Sequence, residues 1–263
     1  MFKNIFFLIG LFALAITASC KKDAVSSTAN EPAIVGYLVA GQPVSVKVYQ
    51  QKGLTDTATY GPLLSGLKLT VSDGSKTVNL TETSTGTYTY TDLSFLSAGK
   101  TYTLSFTYNN AIVTASTVMP AKPTGFTASR TALNVPSTSS TTYTDSVAVS
   151  YKWNNPDSLY HVLVFKNDDT NPYGILVFTT ATPNFTINSK QTDSYTLYYR
   201  TINYIGTYKV ILYRVNQEYI DLLNSNANSS SQNLTNPPTN VTNGFGIFTA
   251  MQADTTTLTL THN

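Results

Sequence analysis

From Thr101 to Tyr108 the chain alternates without interruption, with Tyr102, Leu104, Phe106 and Tyr108 on one side and Thr101, Thr103, Ser105 and Thr107 on the other. A period of two fits a pleated strand that buries one face, and a helix cannot present it as a single stripe. The same pattern recurs in short segments separated by turn residues. Val44, Val46 and Val48 share a face; Leu67, Leu69 and Val71 run into Ser72-Asp73-Gly74-Ser75, an Asp-Gly hairpin turn, and Thr77 to Leu80 returns. Gly86 to Tyr90 alternates again, Leu93 to Gly99 makes a corner, and Asn109-Asn110 turns the chain into Ala111 to Val118. Composition points the same way, because 18 Tyr and 12 Phe with abundant Thr are strand formers. Charged residues are only 11%, and a formal net charge of +2 over 263 residues gives no field strong enough to gather nucleic acid, so no nucleic-acid partner is expected.

Two prolines in Met119-Pro120-Ala121-Lys122-Pro123 interrupt the pattern and mark a boundary. After an irregular Ser129 to Asp145, Val147, Val149 and Tyr151 alternate up to Trp153, Asn154-Asn155-Pro156-Asp157 turns, and Tyr160 to Phe165 returns. This stretch, with Trp153, Pro156 and Tyr160, resembles the B and C strands of a fibronectin type III module. Ile175 to Thr179 continues the meander. Tyr195, Leu197 and Tyr199 share a strand face, whereas Tyr208 to Val215 is apolar on both faces and reads as a central strand. Asn216 offers an N-cap, Glu218 sits in the first turn, and Tyr219, Leu222 and Leu223 form one stripe, which predicts a single helix over about 217–224. A polar loop with Pro237-Pro238 follows, and Gly244 to Met251 and Thr255 to Thr261 read as two closing strands. The expected fold is all-β: two consecutive antiparallel β-sandwich domains, immunoglobulin-like or fibronectin type III-like, over 33–120 and 121–263, with one short helix in the second.

The N-terminus states a location. Lys3 precedes an apolar run from Ile5 to Ile16, and small residues Thr17, Ala18 and Ser19 lead to Cys20, the only cysteine. Twelve apolar residues span about 18 Å as a helix, too short for a hydrocarbon core of about 30 Å, so 1–19 reads as a secretory signal peptide that is removed. The residues before Cys20 resemble a lipobox. In such a signal the cysteine thiol receives a diacylglyceryl group, cleavage frees its amine, and that amine is acylated; several acyl chains anchor durably where one would not. Cys20 is thus the expected lipidation site, and 20–32 a flexible tether. With no cysteine after Cys20, the remaining chain has no disulfide, zinc-thiolate site or cysteine nucleophile.

Nothing in the sequence assembles a reaction. His161 lies inside an expected strand and His262 is the penultimate residue, which leaves no triad or multi-histidine metal site. Glu occurs only at Glu31, Glu82 and Glu218, and no carboxylate pair stands out. Asn167-Asp168-Asp169-Thr170-Asn171 concentrates oxygen ligands, but Thr180 stands where a calcium-binding hand needs Glu, so the segment reads as a hairpin turn. No catalytic residue, metal or cofactor is expected. Aromatic residues are the unusual resource: Tyr195, Tyr198, Tyr199 and Tyr204 are candidate stacking platforms for sugar rings or aromatic ligands, with core packing as the alternative, and Trp153 reads as core.

Asn236-Pro237-Pro238-Thr239-Asn240-Val241-Thr242-Asn243-Gly244-Phe245-Gly246-Ile247-Phe248 resembles a run typical of the family called domain of unknown function 4249, at matching distance after Glu218-Tyr219. Ile34-Val35-Gly36-Tyr37-Leu38, Gly99-Lys100-Thr101-Tyr102, Ala115 to Pro120 and Cys20 extend the resemblance over most of the chain. Independently of it, Gly244 and Gly246 at alternate positions permit a bulge or the close approach of another backbone, and Asn243, Gly244, Gly246 and Phe248 are taken as a structural motif. The resemblance implies a lipid-anchored outer-membrane protein of Bacteroidota. It also implies a gene often encoded near a TonB-dependent transporter and no established reaction; the expected function is a non-enzymatic accessory or ligand-capture component of such a β-barrel transporter, with a small-molecule, glycan or peptide ligand. The alternative function is a surface adhesion or structural interaction protein, and the periplasmic and cell-surface faces both remain open. Asp56-Thr57-Ala58, Asp145-Ser146-Val147 and Asp157-Ser158-Leu159 resemble O-glycosylation triplets of Bacteroidota, with Thr57 the preferred acceptor.

Overall fold

The strand pattern is realised as two layers of sheet with apolar side chains between them. The computed structural model describes residues 31–51, 61–136, 146–175, 181–227 and 238–262. The strands are β1 (Pro32–Val39), β2 (Val44–Gln50), β3 (Thr70–Ser72), β4 (Thr77–Asn79), β5 (Thr81–Ser84), β6 (Thr87–Tyr90), β7 (Thr101–Tyr108), β8 (Ala111–Val118), β9 (Thr124–Ala128), β10 (Ala132–Val135), β11 (Val147–Asn154) and β12 (His161–Asn167). Then come β13 (Phe185–Lys190), β14 (Ser194–Tyr198), β15 (Gly206–Val215), helix α1 (Gln217–Ala227), β16 (Val241–Thr242) and β17 (Phe245–His262). One layer is a long sheet in the order β13-β12-β15-β17-β1-β2-β6-β5, with β10 also paired to β17. The other layer consists of two smaller sheets, β16-β8-β7-β3-β4 and β14-β11-β9.

Each smaller sheet closes its own core against part of the long one. In the first, Ile34, Leu38, Val44, Val46, Val48 and Tyr88 meet Leu69, Val71, Leu104, Phe106 and Val113. The strictly alternating β7 buries Tyr102 and Leu104 completely, and its Tyr102 hydroxyl donates to Phe95 O at 2.8 Å and accepts the Ser97 N–H at 2.7 Å. That bond holds the Leu93–Gly99 corner as the tyrosine corner of immunoglobulin-like sandwiches does. Asn109 and Asn110 both adopt positive φ, +48° and +63°, the twist that a tight hairpin from β7 to β8 requires. In the second core, Val149, Tyr151, Trp153 and Leu197 face Leu163, Phe165, Tyr208, Val210, Leu212, Leu258 and Leu260. The fold is all-β with immunoglobulin-like sandwich packing.

Several expectations change in the structure. The two closing strands are one, β17, whose polar middle from Gln252 to Thr257 stays in the ladder because it pairs residue by residue with β15. Backbone hydrogen bonding continues a strand whether or not its side chains alternate. β17 pairs parallel with β1 and with β10, so the sheets are not purely antiparallel, and β10 itself falls in a stretch expected to be irregular. Through β17 the two sandwiches expected at 33–120 and 121–263 share one sheet: Phe248 and Ala250 belong to the first core, Leu258 and Leu260 to the second. Alternation also fails at Val147, because a register shift between Val147 and Val149 puts Ala148 and Val149 inside and leaves Val147 exposed. Leu67 lies outside β3. Pro32, assigned to the tether, opens β1.

On the opposite face of the long sheet α1 runs three residues beyond the expected end. Its Ile220 is buried with Val162, Val215 and Met251, and Tyr219 and Leu223 pack around them. The Asn216 side-chain amide donates to Thr117 Oγ1 at 2.9 Å and Val118 O at 2.8 Å, which ties the helix start to the end of β8. Among the described residues no helix is long and apolar enough to cross a membrane. Ile175–Thr179 falls largely outside the described residues, as does the Pro237 end of the loop.

Candidate functional site

The residues singled out by sequence go to three places. Cys20 and Thr57 lie outside the described residues. The second group, Asn243, Gly244, Gly246 and Phe248, builds a clasp between β17, β1 and β8. Asn243 adopts φ +58° and its amide donates to Ile112 O at 2.8 Å. A Cβ on Gly244 would lie 2.8 Å from Pro32 O, and one on Gly246 (φ +98°) would collide with Ile34 O and sit 2.8 Å from Ile34 N. Another backbone therefore runs against both glycines. Phe248 is fully buried, with its ring over Gly36, where a Cβ would meet it at 2.8 Å. Asn240 completes the clasp, its side chain donating to Phe248 O (2.6 Å) and accepting the Phe248 N–H (3.0 Å) as a neighbouring strand would. The Asn240 and Asn243 side-chain amides are thus both spent on backbone carbonyls of the fold.

Beside the clasp, Glu218 accepts from Thr117 Oγ1 at 2.7 Å and Thr249 Oγ1 at 3.1 Å, joining α1, β8 and β17. Thr117 and Thr249 are themselves buried. The carboxylate closest to the family motif is thus a joint between elements, with its hydrogen bonds spent on the fold.

The third group, the four tyrosines, is distributed rather than gathered. Tyr195 packs against the second core with its ring 6.4 Å from Phe165, and burial, then the neighbouring Tyr198, raises its hydroxyl pKa. Tyr198 lies under the Arg200 guanidinium, 5.0 Å from the ring centre. Tyr199 begins a 3-10 turn, Tyr199–Thr201, and packs on the same core. Tyr204 lies on the following loop, where its hydroxyl donates to Ala181 O at 3.2 Å. All four are half-buried. The Asn167–Asp169 turn is held by its own bonds, Asn167 Oδ1 accepting the Asp169 N–H and Asp169 Oδ1 that of Thr207. Among the described residues no three His, Cys, Asp or Glu side chains are placed to hold a metal ion.

A site not read from the sequence opens beside Trp153. A cleft of about 580 Å³ is walled by Thr124, Trp153, Asn154, Asp157, Asp193 and Arg214, contributed by β9, β11, β15 and two loops. The Asn155 side chain shapes its rim: its amide donates to Leu159 O and Gln191 O at 3.0 Å each, and its oxygen accepts the Leu159 N–H at 2.9 Å. Behind the wall the fully buried His161 sits 5.7 Å from the Trp153 ring and opposite Arg214 in the β12–β15 ladder. Its Nδ1 meets Leu159 O at 3.0 Å; a carbonyl only accepts, so Nδ1 carries the proton and Nε2 keeps a free lone pair. Burial, with Arg214 adding to it, lowers the His161 pKa to about 4, so the ring is neutral near neutral pH. Three buried atoms here have no partner among the described residues: Trp153 Nε1, His161 Nε2 and Arg214 Nε. Buried polar groups are nearly always bonded, so three together are unusual. The sequence signal was present in Arg214, a charge that follows the apolar run Val210–Tyr213 of a central strand, and in His161 within a buried one.

A family model described as Domain of unknown function (DUF4249) matches residues 24–257. No curated protein matches the chain. Among solved structures, the crystal structure of chicken CNTN1 FN1-FN3 domains is similar at 14% identity, covering 71% of this chain and 59% of that one with a TM-score of 0.28. The chain spans 59% of the length of that structure.

Proposed function

The chain belongs to the DUF4249 family, and on that premise we propose that it is a lipid-anchored outer-membrane protein, without catalytic activity, that captures a ligand for a TonB-dependent transporter. The observation that carries the proposal is Cys20, the sole cysteine, placed where small residues end an apolar run too short to span a bilayer. A durable lipid anchor suits a protein that must stay beside a membrane partner. The described residues favour a binding reading: Glu218 is bonded within the fold, and the cleft beside Trp153 has unpartnered polar atoms at and behind its wall.

The test is gentle detergent extraction of the native envelope after crosslinking, affinity isolation of this protein, and mass spectrometry of what accompanies it. A large β-barrel in stoichiometric yield is the expected result. Recovery of the protein without a barrel would overturn the transporter reading and leave surface adhesion as its replacement.

A further inference from the structure

The cleft beside Trp153 has a chemistry of its own, and a ligand for it presupposes the ligand-capture half of the proposed function. Two unpartnered donors belong to residues of its wall, Trp153 Nε1–H and Arg214 Nε–H, and one unpartnered acceptor, His161 Nε2, lies behind that wall, its ring 5.7 Å from Trp153. Trp153 is 4% exposed and His161 fully buried, so both are out of reach of bulk solvent as the side chains stand. Arg214 is only half-buried and takes part in no ion pair among the described residues, so no carboxylate holds its guanidinium in place.

Few groups satisfy two donors and a lone pair at once. A carboxylate or phosphate oxygen accepts the two N–H bonds but has no proton for His161 Nε2, and it would enter a cleft where Asp157 and Asp193 outnumber Arg214. An ammonium donates to Nε2 and leaves both N–H groups unmet. A hydroxyl does both, accepting on its two lone pairs and donating its single hydrogen. The rest of the wall suits more of the same, since Asp157, Asp193 and Asn154 are acceptors for neighbouring hydroxyl protons.

We propose that Trp153, His161 and Arg214 form the recognition point of a site for a neutral polyhydroxylated ligand, a glycan terminus or similar polyol, one hydroxyl of which occupies the shared hydrogen-bonding position. The ligand enters as the Arg214 side chain swings aside and then closes back over the hydroxyl. A water molecule offers the same hydrogen-bonding chemistry, and the experiment separates the two.

Trp153 is the only tryptophan in the chain, so its indole N–H gives one resonance in a ¹⁵N-correlated spectrum and its fluorescence reports this cleft alone. The full-length protein in detergent is titrated with glucose, galactose, mannose, N-acetylglucosamine and their disaccharides, and separately with acetate and phosphate. The expected result is a saturable shift of the indole resonance, with a matching fluorescence change, for at least one sugar and for neither anion. Arg214→Lys keeps the charge and loses the Nε–H, and should weaken that sugar about tenfold or more while other resonances hold their positions. Asp157→Asn, on the outer wall, should weaken it with less effect on the indole. An indole resonance that no sugar moves, or that shows contact with water alone, overturns the proposal, as does a shift produced by the anions. The two readings fail separately: a barrel recovered beside a sugar-silent indole removes this site only, and sugar binding without a barrel removes the transporter only.

Discussion

His161 makes the stability of the second sandwich depend on pH in a range where carboxylates contribute little. Its pKa is lowered from 6.5 to about 4, by burial first and by the facing Arg214 as well, against the smaller opposing influence of Leu159 O. In the unfolded chain the imidazole returns to its ordinary value. Between pH 6.5 and 4 the unfolded state therefore binds the proton that the folded state refuses, and stability falls as pH falls. At 1.36 kcal/mol per pH unit the loss is complete near pH 4 at about 3 kcal/mol, and it already reaches about 2 kcal/mol between pH 7 and pH 5. The assay is urea unfolding of the soluble chain from Lys21, followed by Trp153 fluorescence at pH 7, 6 and 5, for the natural sequence and for His161→Gln. The variant is less stable at pH 7, but only the slope matters: the natural chain should lose about 2 kcal/mol more than the variant over this range. Parallel slopes would refute the assignment of a buried neutral imidazole to this position.

Three other expectations concern single groups. The Tyr151 hydroxyl is buried without a partner among the described residues, so Tyr151→Phe should stabilise the chain by about 1 kcal/mol, read as a raised denaturation midpoint. Gly246→Ala drives a methyl into the Ile34 backbone at φ +98° and should cost about 3 kcal/mol or more, whereas Gly74→Ala, at φ +87° with open space around it, should cost about 1 kcal/mol, both by chemical denaturation. Asn240→Ala strips partners from the Phe248 N–H and C=O and should cost about 2 kcal/mol or more, with faster hydrogen exchange at Phe248 as the local signature.

Much of the fold is legible in local pattern. The β7–β8 hairpin follows from eight alternating residues and two asparagines that tolerate positive φ, and α1 from a stripe at helical spacing. Gly244 and Gly246 admitted either a bulge or the close approach of another backbone, and the structure shows the approach, with β1 as the neighbour. Long-range pairing was not legible. β17 reads as two strands because Gln252 to Thr257 carries no apolar face, yet β15 pairs with it throughout. The parallel β1–β17 pairing joins residues more than two hundred positions apart, and no local period encodes that. The cleft was hidden for the same reason. Trp153 signals core and is core; it gains a second role only because Arg214 from β15 and Asp193 from the loop before β14 arrive beside it. The tyrosines from Tyr195 to Tyr204, close in sequence, are spread by the fold over a strand, a turn and a loop, a placement that their spacing alone does not give.

The proposed function begins at Cys20, and the measurement that tests it most directly is the intact mass and N-terminal sequence of the mature protein extracted from its own envelope. The account predicts a chain that starts at Cys20 with a diacylglyceryl thioether on its sulfur and an acyl group on its amine, lost from the membrane fraction in Cys20→Ser. A mature chain that starts elsewhere, or one that carries a free Cys20 thiol and still resides in the membrane, would contradict it.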